Sequence, residues 1–158
     1  MGYRTVSRTV ERDVPVPADE LWNLLANTDH LDRSVGLPPV AFGPLEVTAE
    51  AVYREARARF FGCLRLAWQE YPVEGVRGER YAVLRLFIGG PFSAFYGGIE
   101  IAGAGSRSRL RSFADVTPRT LLGWSLARGT VEKGHRDLFR YCDRFAALAL
   151  AAWPAFGQ

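Results

Sequence analysis

Residues 63–91 read CLRLAWQEYPVEGVRGERYAVLRLFIGGP, and this stretch decides the fold. Leu64, Leu66, Trp68 and Glu70 alternate with Arg65, Ala67, Gln69 and Tyr71. Gly75, Gly78 and Glu79 interrupt the pattern, Tyr81 to Ile88 resumes it, and Gly89-Gly90-Pro91 ends it. Period-two alternation bounded by Gly and Pro predicts two strands joined by a polar turn. Both strands carry large apolar groups on one face, so another element must lie across that face. In the second strand two inward sets are open: Tyr81, Val83, Arg85 and Phe87, or Ala82, Leu84, Leu86 and Ile88.

Outward from this hairpin the pattern stays antiparallel. Phe92 to Ala102 predicts a further strand, with Phe95, Ile99 and Ile101 on one face, and Gly103-Ala104-Gly105 turns it into a strand over Ser106 to Val116. Upstream, Val47 to Phe60 reads as one long charged strand, and Tyr3 to Val14 as the first. Pro17-Ala18-Asp19-Glu20 opens a helix with acidic residues in its first turn, where the helix dipole favours them. The capping residues Asn27-Thr28-Asp29 can start a second short helix from His30 to Val35. Beyond Pro118, Leu121 to Ala127 reads as a short helical or irregular segment ended by Gly129. From Val131 to Trp153 apolar residues then recur at three- and four-residue steps, which predicts one long amphipathic helix.

The chain has 158 residues, 48% of them hydrophobic and 23% charged. That size and balance suit a single globular domain over residues 1–158 with one core. The formal net charge is +3, and Lys133 is the single lysine. So small a charge, without interleaved exposed aromatics, gives no reason to expect a nucleic-acid partner. Arg107, Arg109 and Arg111 fall on one strand face and read as a solvated outer surface or as a docking face for an acidic partner. Cys63 and Cys142 lack metal-ligand spacing and are expected to be free thiols in a reducing, cytoplasmic setting. No apolar run is long enough to span a bilayer. No metal-ligand spacing, phosphate-cradling glycine loop or nucleophile elbow is present, so neither a metal nor a cofactor is expected.

The expected fold class is α+β. A curved antiparallel sheet of six or seven strands wraps around a long C-terminal helix, with two short helices after the first strand, in the helix-grip arrangement. A bowed sheet and a straight helix cannot touch everywhere, so a cavity is expected between them.

With these elements placed, the chain resembles the START-like, polyketide-cyclase-like (SRPBCC) superfamily. VPVPADELWNLLANTD (Val14 to Asp29) is similar to its opening strand, proline and Trp-bearing helix. TDHLDRSVGLPPV (Thr28 to Val40), WQEYP (Trp68 to Pro72), Arg80, Arg85 and Gly90-Pro91 resemble one uncharacterised branch found N-terminal to class III adenylate/guanylate cyclase domains. That branch would carry Asn where Asp32 stands and aromatic residues near Val73 and Gly75. The resemblance implies a hydrophobic or aromatic small-molecule ligand, a regulatory role, and a nucleotide-cyclase catalytic domain as a partner.

The residues expected to line the cavity come from the strands and the helix. From the strands they are Trp68, Glu70, Tyr81, Arg85, Phe87, Phe95, Ile99 and Leu110; from the helix, Leu138, Cys142 and Phe145. Glu70 matters most, because a carboxylate facing inward with Trp68 needs a partner. Arg85 or Arg54 can supply one, and such a pair could orient the polar end of a ligand or merely fix strand register. His30 and His135 read as structural. No catalytic residue is assigned. A polyketide aromatase/cyclase is the alternative, with Glu70, Arg54, Arg85, Tyr81 and Tyr96 as its candidate acid–base groups. An interaction module without a ligand is the other.

Overall fold

A computed structural model describes residues 3–26, 38–60, 62–103 and 105–152, with side chains as far as 148. The elements are β1 (Val6–Val14), α1 (Ala18–Ala26), β2 (Ala41–Val47), β3 (Val52–Phe60), β4 (Leu64–Val76), β5 (Arg80–Phe87), β6 (Phe92–Ala102), β7 (Ser108–Pro118) and α2 (Leu121–Ala152). The fold is α+β: seven strands form one antiparallel sheet in the order β1-β7-β6-β5-β4-β3-β2, and α2 packs against it. Register shifts at Phe42/Leu45, Pro72/Glu74 and Phe92/Ala94 mark bulges, which bend a sheet and increase its twist. The helix expected over His30–Val35 lies outside the described residues.

Two boundaries differ from the sequence reading. The strand expected over Val47–Phe60 begins only at Val52, as β3, and a strand the sequence did not show, β2, precedes it across a turn at Thr48–Ala51. The turn carries neither Gly nor Pro. Instead the Thr48 hydroxyl donates to the Ala51 carbonyl at 3.0 Å and accepts from the Ala51 N–H at 3.0 Å, so one side chain does the work of turn chemistry. The long helix begins at Leu121, not Val131. Thr120 caps it, its hydroxyl accepting from the Gly123 N–H at 3.1 Å. Gly129 costs only about 1 kcal/mol relative to Ala and does not stop it.

Gly123 has a packing reason. A Cβ there would stand 1.9 Å from the Pro91 carbonyl oxygen, so only glycine lets the first turn of α2 rest on the β5–β6 connection. From that seat α2 crosses β7 and β1.

Among the described residues the buried apolar side chains gather in three clusters, with Phe87 packed against both the second and the third. The largest joins α1, β1, β6, β7 and the second half of α2 through Leu21, Leu110, Leu138, Phe139 and Cys142. A second joins β3 and β4 through Ala56, Leu66 and Trp68. The third seats Ala127 and Val131 of α2 on Phe92 and Val116. A domain of this size ordinarily shows one contiguous core.

On the opposite, convex face the arginine row is neutralised across strands. Arg111 reaches Glu100 at 2.8 Å, Arg80 reaches Glu100 at 3.3 Å, and Arg109 reaches Asp13 at 3.1 Å. These pairs are solvent-exposed and contribute little stability individually. They favour the reading of this row as a solvated outer face.

Candidate functional site

The ladder registers fix which side chains share the concave face, because residues directly opposite in a pair point the same way. Trp68 faces Phe87 and Glu70 faces Arg85 across β4–β5. Across β5–β6, Arg85 faces Phe95, Val83 faces Gly97 and Tyr81 faces Ile99. Ile99 continues to Ser112, and Ile101 to Leu110, on β7. The inward set of β5 is therefore Tyr81, Val83, Arg85 and Phe87. Sequence alone left this open because both sets carry bulky apolar residues.

Glu70 is at the centre of this face and 4% exposed. Arg54, its partner across β3–β4, donates from Nε at 3.2 Å and from Nη2 at 2.7 Å to Oε1. Arg85 donates from Nε to Oε2 at 2.9 Å, and the Trp68 indole N–H donates to the same oxygen at 3.4 Å. Burial pushes the Glu70 carboxyl up, but Arg85 and Arg54 outweigh it and hold the group below the usual carboxylate range. Glu70 is thus an ionised acceptor with both oxygens engaged. Both expected partners bind it, where the sequence suggested one or the other.

Aromatic rings surround this cluster. The Arg85 guanidinium lies 5.4 Å from the Trp68 ring centroid and 5.6 Å from that of Phe95. Arg54 lies 3.6 Å from the Phe42 ring. Phe87 sits between Trp68 at 5.8 Å and Phe92 at 6.0 Å. Phe95 leans across Gly97, where a Cβ would come within 2.6 Å of the ring. Tyr81, Arg85, Phe87, Phe95 and Ile99 are all only half-buried. Phe87 packs against the second and third clusters, Phe95 against the third and Ile99 against the largest, and together the five residues form a half-buried apolar face with a charged centre.

The remaining expected residues sit elsewhere. Leu110 and Cys142 are fully buried, Leu138 is 9% exposed, and all three belong to the largest core cluster, with Phe145 packed against it. Burial also pushes the Cys142 thiol up to about 12. Tyr96 stands on the convex face against Phe113, at 5.5 Å, and so is not part of the inward acid–base set the sequence suggested.

One residue near the Glu70 cluster escaped sequence reading, and one read as structural is placed in detail. Phe42 lies in β2, a strand masked by the missed Thr48 turn. His135 is buried and its Nδ1 lies 3.1 Å from the Ser112 hydroxyl, while its Nε2 meets no partner. Burial pushes this imidazole below its ordinary pKa, the Arg8 backbone opposing it and the Arg8 charge adding to it, so it is neutral at pH 7. The helical spacing that placed His135 on the buried stripe of α2 was the available signal.

Two shallow pockets lie along β1, one of about 210 Å³ beside Val6, Arg8, Val131 and Glu132, the other of about 220 Å³ beside Glu11, Arg12 and Arg109. Neither includes Glu70, Arg85 or a ring around them. Among the described residues no three His, Cys, Asp or Glu side chains gather to hold a metal ion, and no helix is long and apolar enough to cross a membrane.

No family model matches the sequence, and no curated protein matches it. Solved structures do match the fold. The Zhui aromatase/cyclase from a Streptomyces species superposes with a TM-score of 0.69 at 14% identity, covering 91% of this chain and 94% of that one. The Mll3558 protein from Rhizobium loti gives 0.64 at 20% identity, covering 91% and 96%. Ara h 8.0201 gives 0.63 at 8% identity, covering 91% and 99%. The architecture is therefore the helix-grip fold shared by these proteins, and at such identities the likeness speaks to fold alone.

Proposed function

We propose that the chain is a single helix-grip binding domain whose concave groove takes a hydrophobic or aromatic small molecule. The observation that carries this reading is the half-buried aromatic wall around the Glu70 cluster. Half-buried Tyr81, Phe87, Phe95 and Ile99 share one sheet face with a buried charge cluster. Half-exposed aromatic walls around a few fixed polar groups suit an apolar ligand that is oriented at one end. Titration with a neutral solvatochromic naphthalene tests this. Saturable blue-shifted binding is expected, weakened at least about tenfold when Ile99→Trp fills the groove; such a change is about 1.4 kcal/mol of affinity. Absence of saturable binding by the folded protein, or binding indifferent to Ile99→Trp, overturns the reading.

The geometry favours binding over acid–base chemistry. Glu70 is held ionised with both oxygens occupied, and a guanidinium is protonated throughout the working pH range. An aromatase/cyclase role of the kind named for the Streptomyces neighbour would leave Tyr81 alone to move a proton. A cytoplasmic sensory role coupled to a nucleotide cyclase is the finer part of the proposal, and it rests on the sequence resemblance of residues 28–40 and 68–72 with Arg80, Arg85 and Gly90-Pro91. Nucleotide-cyclase activity in the product of the complete gene, responsive to a groove ligand, is its test.

A further inference from the structure

The groove's charge balance identifies what kind of polar end it accepts. Two guanidiniums, Arg54 and Arg85, meet one carboxylate, Glu70, and no other acid among the described residues approaches either of them. One positive charge is left over there, beside the rings of Trp68, Phe42 and Phe95. Its location is specific. Arg54 directs Nε and Nη2 at Glu70 and is covered by Phe42 at 3.6 Å. Arg85 spends only Nε on Glu70. Its Nη1 and Nη2 make no hydrogen bond to any described residue and are not sealed from solvent, on a side chain 30% exposed. Glu70 thus works as a positioning residue, gripping Arg85 by its inner nitrogen so that the outer fork is presented to the groove between two aromatic rings.

We infer that the groove ligand carries a carboxylate, received by the Nη1 and Nη2 of Arg85, on a flat apolar or aromatic body that lies against Trp68 and Phe95. The planar two-nitrogen edge of a guanidinium matches the two oxygens of a carboxylate, and a charge-assisted pair of this type is strong where apolar walls exclude water. A neutral ligand would leave the surplus charge uncompensated. This inference rests on the groove reading above and adds the chemical class of its occupant.

The probes are 2-naphthoate and its methyl ester, which share a ring system and differ in charge, titrated by calorimetry near pH 7. Wild-type protein is expected to bind the acid at least about tenfold more tightly than the ester, the discrimination of one charge-assisted bidentate contact. Arg85→Gln is expected to bring the two affinities together by weakening the acid alone, and Arg85→Lys, which keeps charge without the fork, to fall between. Equal wild-type affinities for acid and ester overturn this inference and leave the groove standing. An acid preference that survives Arg85→Gln overturns the assignment to Arg85. If neither probe binds, the groove reading falls and the carboxylate with it. The wild-type comparison decides the matter even if the variants fold poorly.

Discussion

Glu70 stands directly opposite Arg85 in the β4–β5 ladder, and each anchors the other on the concave face, 2.9 Å apart. Because Arg54 shares the same carboxylate from β3, the interaction ties three adjacent strands together. Removing the acid should therefore cost more than removing either base. Breaking a fully buried pair costs about 3–5 kcal/mol. The arginine side chains here are 39% and 30% exposed, so water takes up part of the unmatched charge and about 2 kcal/mol is expected for Glu70→Ala. Exchanging Glu70 and Arg85 together should recover only part of the loss of either single exchange, since Arg54 would then face an arginine. Chemical denaturation of the four proteins measures it; full recovery would mean that Arg54 is a bystander.

The protein should lose stability in two stages as the solution is acidified. His135 is neutral in the fold, with its pKa depressed below 6.5, so the unfolded chain binds the proton first. Its contribution is intact above about pH 6.5 and is lost as pH falls below that value. Glu70 is depressed below 4.5, so its contribution is intact above about pH 4.5 and disappears as pH falls through its lower folded value. Melting temperatures recorded between pH 8 and pH 3 should show both declines. His135→Gln should flatten the upper one and leave the lower one in place.

The antiparallel strands and the shared face of Trp68 and Glu70 were legible because period-two alternation survives burial on one face. The strand from Phe92 to Ala102 was read to the residue. What resisted was of three physical kinds. The Thr48 turn is made by a hydroxyl in a β-branched residue, which composition does not distinguish from strand. The start of α2 depends on Gly123 meeting Pro91, a tertiary contact, and glycine in sequence argues the other way. Leu110, Leu138 and Cys142 were expected along a cavity; they pack into the largest cluster, where α2 meets β7 and β1. Periodicity identifies the buried face of a helix and says nothing about what that face meets.

The contrasting glycines of α2 make a paired test of that helix. Gly123→Ala would place a methyl 1.9 Å from the Pro91 carbonyl, a backbone atom that cannot swing away, so the first turn must lift off β5–β6. A loss of at least about 1–3 kcal/mol is expected, the range for overpacking a fixed contact. Gly129→Ala meets nothing within 4 Å in mid-helix and should stabilise by about 0.5–1 kcal/mol. Urea unfolding of both variants reads the difference, and two shifts of the same sign would be incompatible with this seating of the helix.

The two thiols should be separable by reactivity. Cys63 is exposed, whereas Cys142 is fully buried in the largest core cluster with its pKa pushed up to about 12. Only the thiolate attacks a disulfide reagent, so at pH 8 Cys142 is protected both by exclusion and by protonation. A colorimetric disulfide reagent should titrate a single thiol quickly in the native protein and the second only at the rate of global unfolding. Adding sub-denaturing urea should accelerate that second phase in step with the loss of stability, while Cys63→Ser should abolish the fast phase alone. Rapid modification of both thiols without denaturant would show that the packing of α2 onto β1 and β7 opens locally, and would move Cys142 from the core to a surface that reagents can reach.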